Sequence, residues 1–118
     1  MQFTQIRNAT AILTYGGKRI LIDPMFAERF ALPGLPLAAD PTRRNPTVPL
    51  PCPAEALLRV DAALVTHLHF DHFDEAAARL LPKTLPLFAG DATDAEALRA
   101  LGFTDVRALP GEGTLGWE

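Results

Sequence analysis

Ala62-Ala63-Leu64-Val65-Thr66-His67-Leu68-His69-Phe70-Asp71-His72-Phe73-Asp74 is the stretch that decides how this chain folds. It opens on an apolar run and leads into Glu75 to Leu81, which reads as a helix. Between the two it carries all 3 histidines of the protein. Strand, polar turn, then helix is where an open α/β sheet presents its chemistry. Neutral imidazole nitrogen and carboxylate oxygen are ligands of zinc and similar divalent ions. His67 and His69 are two apart, so on extended backbone their side chains leave the same face and can grip one ion. Asp71 and His72 come where the chain turns, and are expected to point to a second spot nearby. One turn thus offers two ligand pairs, a pattern suited to two ions about 3.5–4 Å apart that share a water. A lone loop histidine would read as solvated. The whole complement gathered as H-x-H-x-D-H reads as a metal site.

Upstream, Val60 to Thr66 is nearly all apolar, as expected of a strand covered on both faces. Phe3 to Arg7 reads as a short strand. Ala11 to Tyr15 and Lys18 to Ile22 flank Gly16-Gly17, a strong hairpin signal because primed turns need positive φ. The chain therefore opens with an antiparallel meander whose third strand ends at Asp23-Pro24. From Pro24 to Pro53 periodicity is lost, and eight of the 11 prolines fall there. Proline removes donors and fixes φ, so a lid or binding loop is expected rather than a ladder. Phe26, Phe30, Leu32, Leu35 and Leu37 are its expected apolar anchors. Arg43-Arg44 reads either as two solvated charges or as a contact for an anionic group such as phosphate. Pro53 to Arg59 reads as a short helix.

Downstream, Asp74 or Asp71 is placed to cap the helix over 75–81, which buries Ala76, Ala77, Leu80 and Leu81 and stops at Pro82. Leu85 to Ala89 reads as a strand. Thr93-Asp94-Ala95-Glu96 fits a capping box, and Gly102 a left-handed helix end. Thr104 to Leu109 reads as a last strand. The β-α-β-α-β alternation from Val60 implies parallel pairing.

At 118 residues, 48% apolar, the chain is expected to form a single domain spanning 1–118. Net charge is −3 with signs mixed, which argues against a nucleic-acid partner. The single cysteine, Cys52, has no partner for an internal disulfide. No secretory leader and no membrane-length apolar run is read, so a cytoplasmic location is the expectation.

His67-x-His69-x-Asp71-His72 after a hydrophobic strand resembles the metallo-β-lactamase-fold metallohydrolases. Ile20-Leu21-Ile22-Asp23-Pro24 resembles the aspartate-ending strand of that superfamily. With Arg43-Arg44-Asn45-Pro46 and the Pro-rich lead into Glu55 to Leu58, the chain is similar to one branch of it. That branch holds ascorbate-6-phosphate lactonase-like proteins and phospholipase-D-type N-acylethanolamine-forming enzymes. The resemblance implies an α/β fold, the N-terminal half of an αββα sandwich. It implies His67 and His69 on one divalent ion, and His72 and Asp71 on a second, with Asp71 also handling the nucleophile. Zinc is the first expectation, with manganese and iron open; a di-iron redox site normally has an acidic residue where His69 stands. Asp23 reads either as a turn residue before proline or as a carboxylate holding a metal-bound histidine in its tautomer. Members run to about twice this length, and their second half supplies further ligands and covers the sheet. The expectation is therefore an apparently truncated hydrolase half acting on an ester, lactone or phosphodiester, with a small, possibly phosphorylated substrate. The alternative is an inactive metal-binding or interaction module. A second copy of the chain, or the missing half, would cover the sheet.

Overall fold

The computed structural model describes residues 1–109; the tail from Pro110 to Glu118 lies outside the described residues. Six strands, β1 (Gln2–Arg7), β2 (Thr10–Tyr15), β3 (Lys18–Ile22), β4 (Ala62–Val65), β5 (Leu87–Ala89) and β6 (Val106–Ala108), lie side by side in chain order in one sheet. The first three pair antiparallel and the last four parallel. Two helices, α1 (Glu75–Leu80) and α2 (Ala92–Ala100), fill the crossovers between parallel strands. The expected meander leading into β-α-β-α-β is what the chain forms.

Local chemistry accounts for the element boundaries. Gly16 and Gly17 have φ of 58° and 77°, and Tyr15 pairs with Lys18 across them. Positive φ at both central residues is what a type I′ hairpin demands. Asn8, at φ 51°, turns β1 into β2, and a register shift falls between Gln5 and Arg7. Asp74 caps α1, its side chain accepting from the amide of Ala77. Helix α2 begins earlier than its capping-box pattern implies. Asp91, not Thr93, is its cap, accepting from the amide of Asp94. Gly102 comes after the helix at φ 101°, as read from the sequence. Ala54–Leu58 closes as a 3₁₀ turn rather than an α-helix.

Strand alternation sorts the side chains. Leu21, Ala63, Val65, Leu87, Ala89 and Val106 join Phe73, Ala77, Leu81, Leu98 and Phe103 in one buried cluster under the helices. Each large aliphatic or aromatic side chain there contributes about 1.5–3 kcal/mol of burial energy. Ile22, Leu64 and Phe88 lie in register on the other face of the sheet.

The Pro-rich segment has no helix or ladder, only a bridge between Leu32 and Asn45. Of its five expected anchors only Phe26 is buried; Phe30 and Leu35 are exposed and Leu37 wholly so. Pro24, Met25, Ala27 and Pro46 are buried as well. Polar groups hold the start of the loop. The Arg7 guanidinium, itself buried, donates to the carbonyls of Met25 and Ala27 at 2.8 Å each and of Val48 at 3.3 Å. Its burial lowers its pKa, an effect that the charge of Asp74 opposes. The Asp74 carboxylate accepts from the amide of Ala27 at 2.7 Å while it caps α1. Loop and helix are thus tied through one side chain. Farther along, a Cβ at Gly34 would stand 2.0 Å from the carbonyl oxygen of Pro41, so the loop's fold-back requires glycine there.

Candidate metal centre

The site begins where β3 ends. Asp23 has φ of 44°, a left-handed conformation that persists in a non-glycine residue only when its surroundings hold it. They do so from three sides. The amide of Asp23 donates to the carbonyl of Leu64 at 2.9 Å, extending the β3–β4 register past the strand end. The buried hydroxyl of Thr10 donates to the carbonyl of Asp23 at 2.7 Å and accepts from the amide of Met25 at 3.0 Å. The corner turns the Asp23 carboxylate toward the exit of β4. There one oxygen accepts from the amide of Thr66 at 2.7 Å. The other accepts from the Thr66 hydroxyl and lies 2.8 Å from His72 Nδ1.

Beyond Val65 the chain runs without regular structure through His67–His69, then closes a turn. The amides of His72 and Phe73 both donate to the carbonyl of His69, at 2.8 and 2.9 Å. That turn gathers His67, His69 and Asp71, with His72 alongside. A nitrogen each from His67 and His69 and an oxygen of Asp71 lie within 4.8 Å of one another. The ring of His72 is centred 3.9 Å from that of His67, and its Nε2 is 3.7 Å from Asp71 Oδ2. The ring of His69 meets that of His67 edge-on at 4.6 Å. Asp71 thus stands with His67 and His69 and also within reach of His72, its expected pair partner. His69 is exposed, whereas His67, Asp71 and His72 are half-buried.

The donor set fits a divalent cation. Tetrahedral zinc at bond lengths near 2.1 Å holds its ligand atoms about 3.4 Å apart. From a spread within 4.8 Å the side chains close on an ion by small shifts. His72 is turned with Nδ1 on Asp23, leaving Nε2 toward Asp71. A histidine pinned through one nitrogen to a carboxylate is the usual setting of a metal-ligating imidazole.

Thr66, Thr10 and Asp74 carry much of this architecture, and sequence reasoning did not single out the two threonines. The available signal was a hydroxyl residue closing an apolar strand just before the first histidine. The candidate anion contact is reassigned in part. Arg44 donates to the carbonyls of Phe30 and Ala31 at 2.8 and 3.0 Å, bracing the loop, whereas Arg43 is exposed. A cleft of about 440 Å³ between the start of the loop and α1 is lined by Phe26, Leu32, Asp74, Arg79 and others, but by none of the histidines.

Comparison with known proteins places this architecture. The family described as beta-lactamase superfamily domain matches residues 18–111. UPF0173 protein YddR of Bacillus subtilis (strain 168) is 44% identical over 110 residues, covering 92% of this chain and 43% of that protein. The UPF0173 metal-dependent hydrolase of Anaeromyxobacter sp. (strain K) is 51% identical over 45 residues, 38% of this chain and 16% of that protein. The crystal structure of isothiocyanate hydrolase from Delia radicum gut bacteria superposes with a TM-score of 0.92 at 49% identity, covering 98% of this chain and 44% of that one. That of a possible metal-dependent hydrolase from Veillonella parvula DSM 2008 gives 0.88 at 41%, covering 92% and 42%. The chain spans less than half the length of these relatives.

Proposed function

Because the chain belongs to the metallo-β-lactamase-fold superfamily and corresponds to the N-terminal half of that fold, we propose that it is the metal-binding half of a metal-dependent hydrolase. The observation that carries the reading is the convergence of His67, His69 and Asp71 beside a His72 held by Asp23. His67, His69 and Asp71 would hold a divalent ion, and His72 with Asp71 a second. The nitrogen-rich set favours zinc, and manganese or iron accept the same ligands. When bound, such an ion lowers the pKa of its water toward about 7 and polarises the substrate. Asp71 orients the nucleophile and takes up its proton. Asp23 keeps Nε2 of His72 pointed into the site.

The substrate is read as a small electrophile. The isothiocyanate hydrolase is 49% identical to this chain across 98% of it, which favours a carbon electrophile of that kind. Water adds to the central carbon of R–N=C=S, and the amine and carbonyl sulfide leave. An ester, lactone or phosphodiester uses the same attack. The use of Arg44 on loop carbonyls leaves Arg43 alone for a phosphate, so a phosphorylated substrate is the weaker choice. No helix among the described residues is long and apolar enough to cross a membrane. A cytoplasmic protein with no nucleic-acid partner remains our reading. The half-buried Ile22 and Leu64 on the other face of the sheet would be covered further by more chain or by a second copy, which light scattering distinguishes.

The test is metal content by elemental analysis after dialysis against zinc, together with turnover of an alkyl isothiocyanate, a lactone and a phosphodiester. Bound zinc with turnover, both lost in His67→Ala and Asp71→Ala, is the expected result. Bound zinc without turnover favours the second reading, a non-catalytic metal-binding module. The chain's coverage of 43% of a relative is what keeps that reading open. No bound metal overturns both.

A further inference from the structure

We propose that Thr66 is a positioning residue: its hydroxyl fixes the tautomer of His67, so that Asp23 orients two candidate ligands at once, His72 directly and His67 through Thr66. The purpose assigned to this relay rests on the metal-binding reading above; its existence does not.

The direction of the hydrogen bonds comes from counting protons. A carboxylate only accepts, and a threonine hydroxyl has one proton to give. Thr66 Oγ1 lies 2.8 Å from Asp23 Oδ2 and 3.0 Å from His67 Nδ1. Asp23 cannot donate, so the hydroxyl proton goes to Asp23. The hydroxyl lone pair that remains can only receive a proton from His67 Nδ1. The same Asp23 oxygen receives Nδ1–H of His72 at 2.8 Å. Both rings are then protonated on Nδ1 and present a bare Nε2, the form that ligates a cation. A ring without such a partner can carry its proton on either nitrogen, and a share of its encounters with an ion meet the wrong one.

Thr66 is held so that this relay keeps its length. Its amide is bonded to Asp23 on the β3 side. On the β5 side the amide of Gly90 donates to the carbonyl of Val65 at 3.1 Å. A Cβ on Gly90 would stand 2.3 Å from the carbonyl oxygen of Thr66, so that strand approaches as closely as backbone allows. The threonine is exposed, however, and water can partly replace its hydroxyl. The effect on metal binding therefore belongs at the low end of the 10–100-fold range for such partners.

The decisive measurement is long-range proton–nitrogen NMR on the ¹⁵N-labelled, metal-free full chain, above pH about 8, where free imidazole is neutral. With 3 histidines, single variants assign the spectrum. The wild type is expected to show Nδ1–H on both His67 and His72. In Thr66→Val, His67 alone should shift to Nε2–H or to a mixture; Thr66→Ser should restore it. Zinc affinity, by competition with a chromophoric chelator, should fall about 10-fold in the valine variant and recover in the serine one. Nε2–H on His67 in the wild type overturns the proposal, as does an unchanged spectrum in folded Thr66→Val. If the wild type binds no zinc but shows the tautomer pattern, the metal-binding reading fails and the relay stands.

Discussion

Asp74→Ala should be strongly destabilising although the residue lies outside the histidine cluster. The buried carboxylate serves two amides on different segments. It caps α1 through Ala77 at 2.8 Å and holds the amide of Ala27 at 2.7 Å. Losing an aspartate cap costs about 1 kcal/mol, with a range of roughly 0.5–2. The amide of Ala27, buried and left without an acceptor, adds about 1–3 kcal/mol. The opposite charge facing the buried Arg7 disappears as well. The total is about 2–5 kcal/mol. Asp74→Asn keeps one acceptor oxygen but points an N–H at a second donor, so it should fall between wild type and alanine. Urea unfolding monitored by circular dichroism measures both, with thermal unfolding as the cross-check. At about 4 °C per kcal/mol for a domain of this size, the alanine variant should melt at least about 8 °C lower. An alanine variant within about 0.5 kcal/mol of wild type would mean that the loop is not tied to α1 through this side chain.

Two glycines separate conformational strain from collision. Gly17→Ala meets nothing within 4 Å but keeps φ at 77°, so about 1–2 kcal/mol is expected, with zinc binding untouched. Gly90→Ala drives a Cβ into the backbone of Thr66, so it should cost about 1–3 kcal/mol and weaken zinc binding too; calorimetry and chelator competition report the two effects. Arg7→Ala removes the donor of three loop carbonyls and should cost about 3–5 kcal/mol by urea unfolding, with limited proteolysis near Met25–Ala27 as its local sign. For α2, Asp91→Ala should lower stability by about 1 kcal/mol while Thr93→Ala stays within about 0.5 kcal/mol; the reverse order would restore the capping box.

Much of the fold is legible in the chain because it is local. A Gly-Gly pair between β-prone runs leaves few backbone options, and both glycines do adopt positive φ. The polar turn after β4 stands out by composition alone, with every histidine of the chain in it. What the sequence hides is set by competition between neighbouring caps and by long-range contact. Thr93-x-x-Glu96 satisfies the capping pattern, but Asp91 lies two residues earlier and reaches the amide of Asp94 first. The apolar residues of the Pro-rich loop look like anchors, yet burial depends on where the loop lands, and it lands on Arg7 and Asp74. Period-two alternation would set His67, His69 and Asp71 on one face and His72 on the other, but the strand has already ended at Val65, so the turn rather than alternation places these residues.

The close spacing of the candidate ligands shapes how the site assembles. All four lie within His67–His72, so closing them together orders one short turn and incurs little loop entropy. The long-range requirement is narrow: β3 must pair with β4 in the register that sets Asp23 against Thr66. That register is itself specified. The pairs Ile20–Ala62, Leu21–Ala63 and Ile22–Leu64 send alternate side chains to opposite faces, and a slip of one residue would turn Leu21 out of the core. Asp23 extends the same register through its amide to Leu64 and its carboxylate to Thr66. The polar site is therefore locked by the apolar pattern of the strands beneath it. A substitution that shifts the β3–β4 pairing should abolish metal binding even with every histidine in place. Leu21→Asp, which sets a charge in the buried cluster, would show this as lost zinc binding in parallel with lost near-ultraviolet dichroism. Retained zinc affinity in that variant would mean that the turn organises its ligands without the sheet.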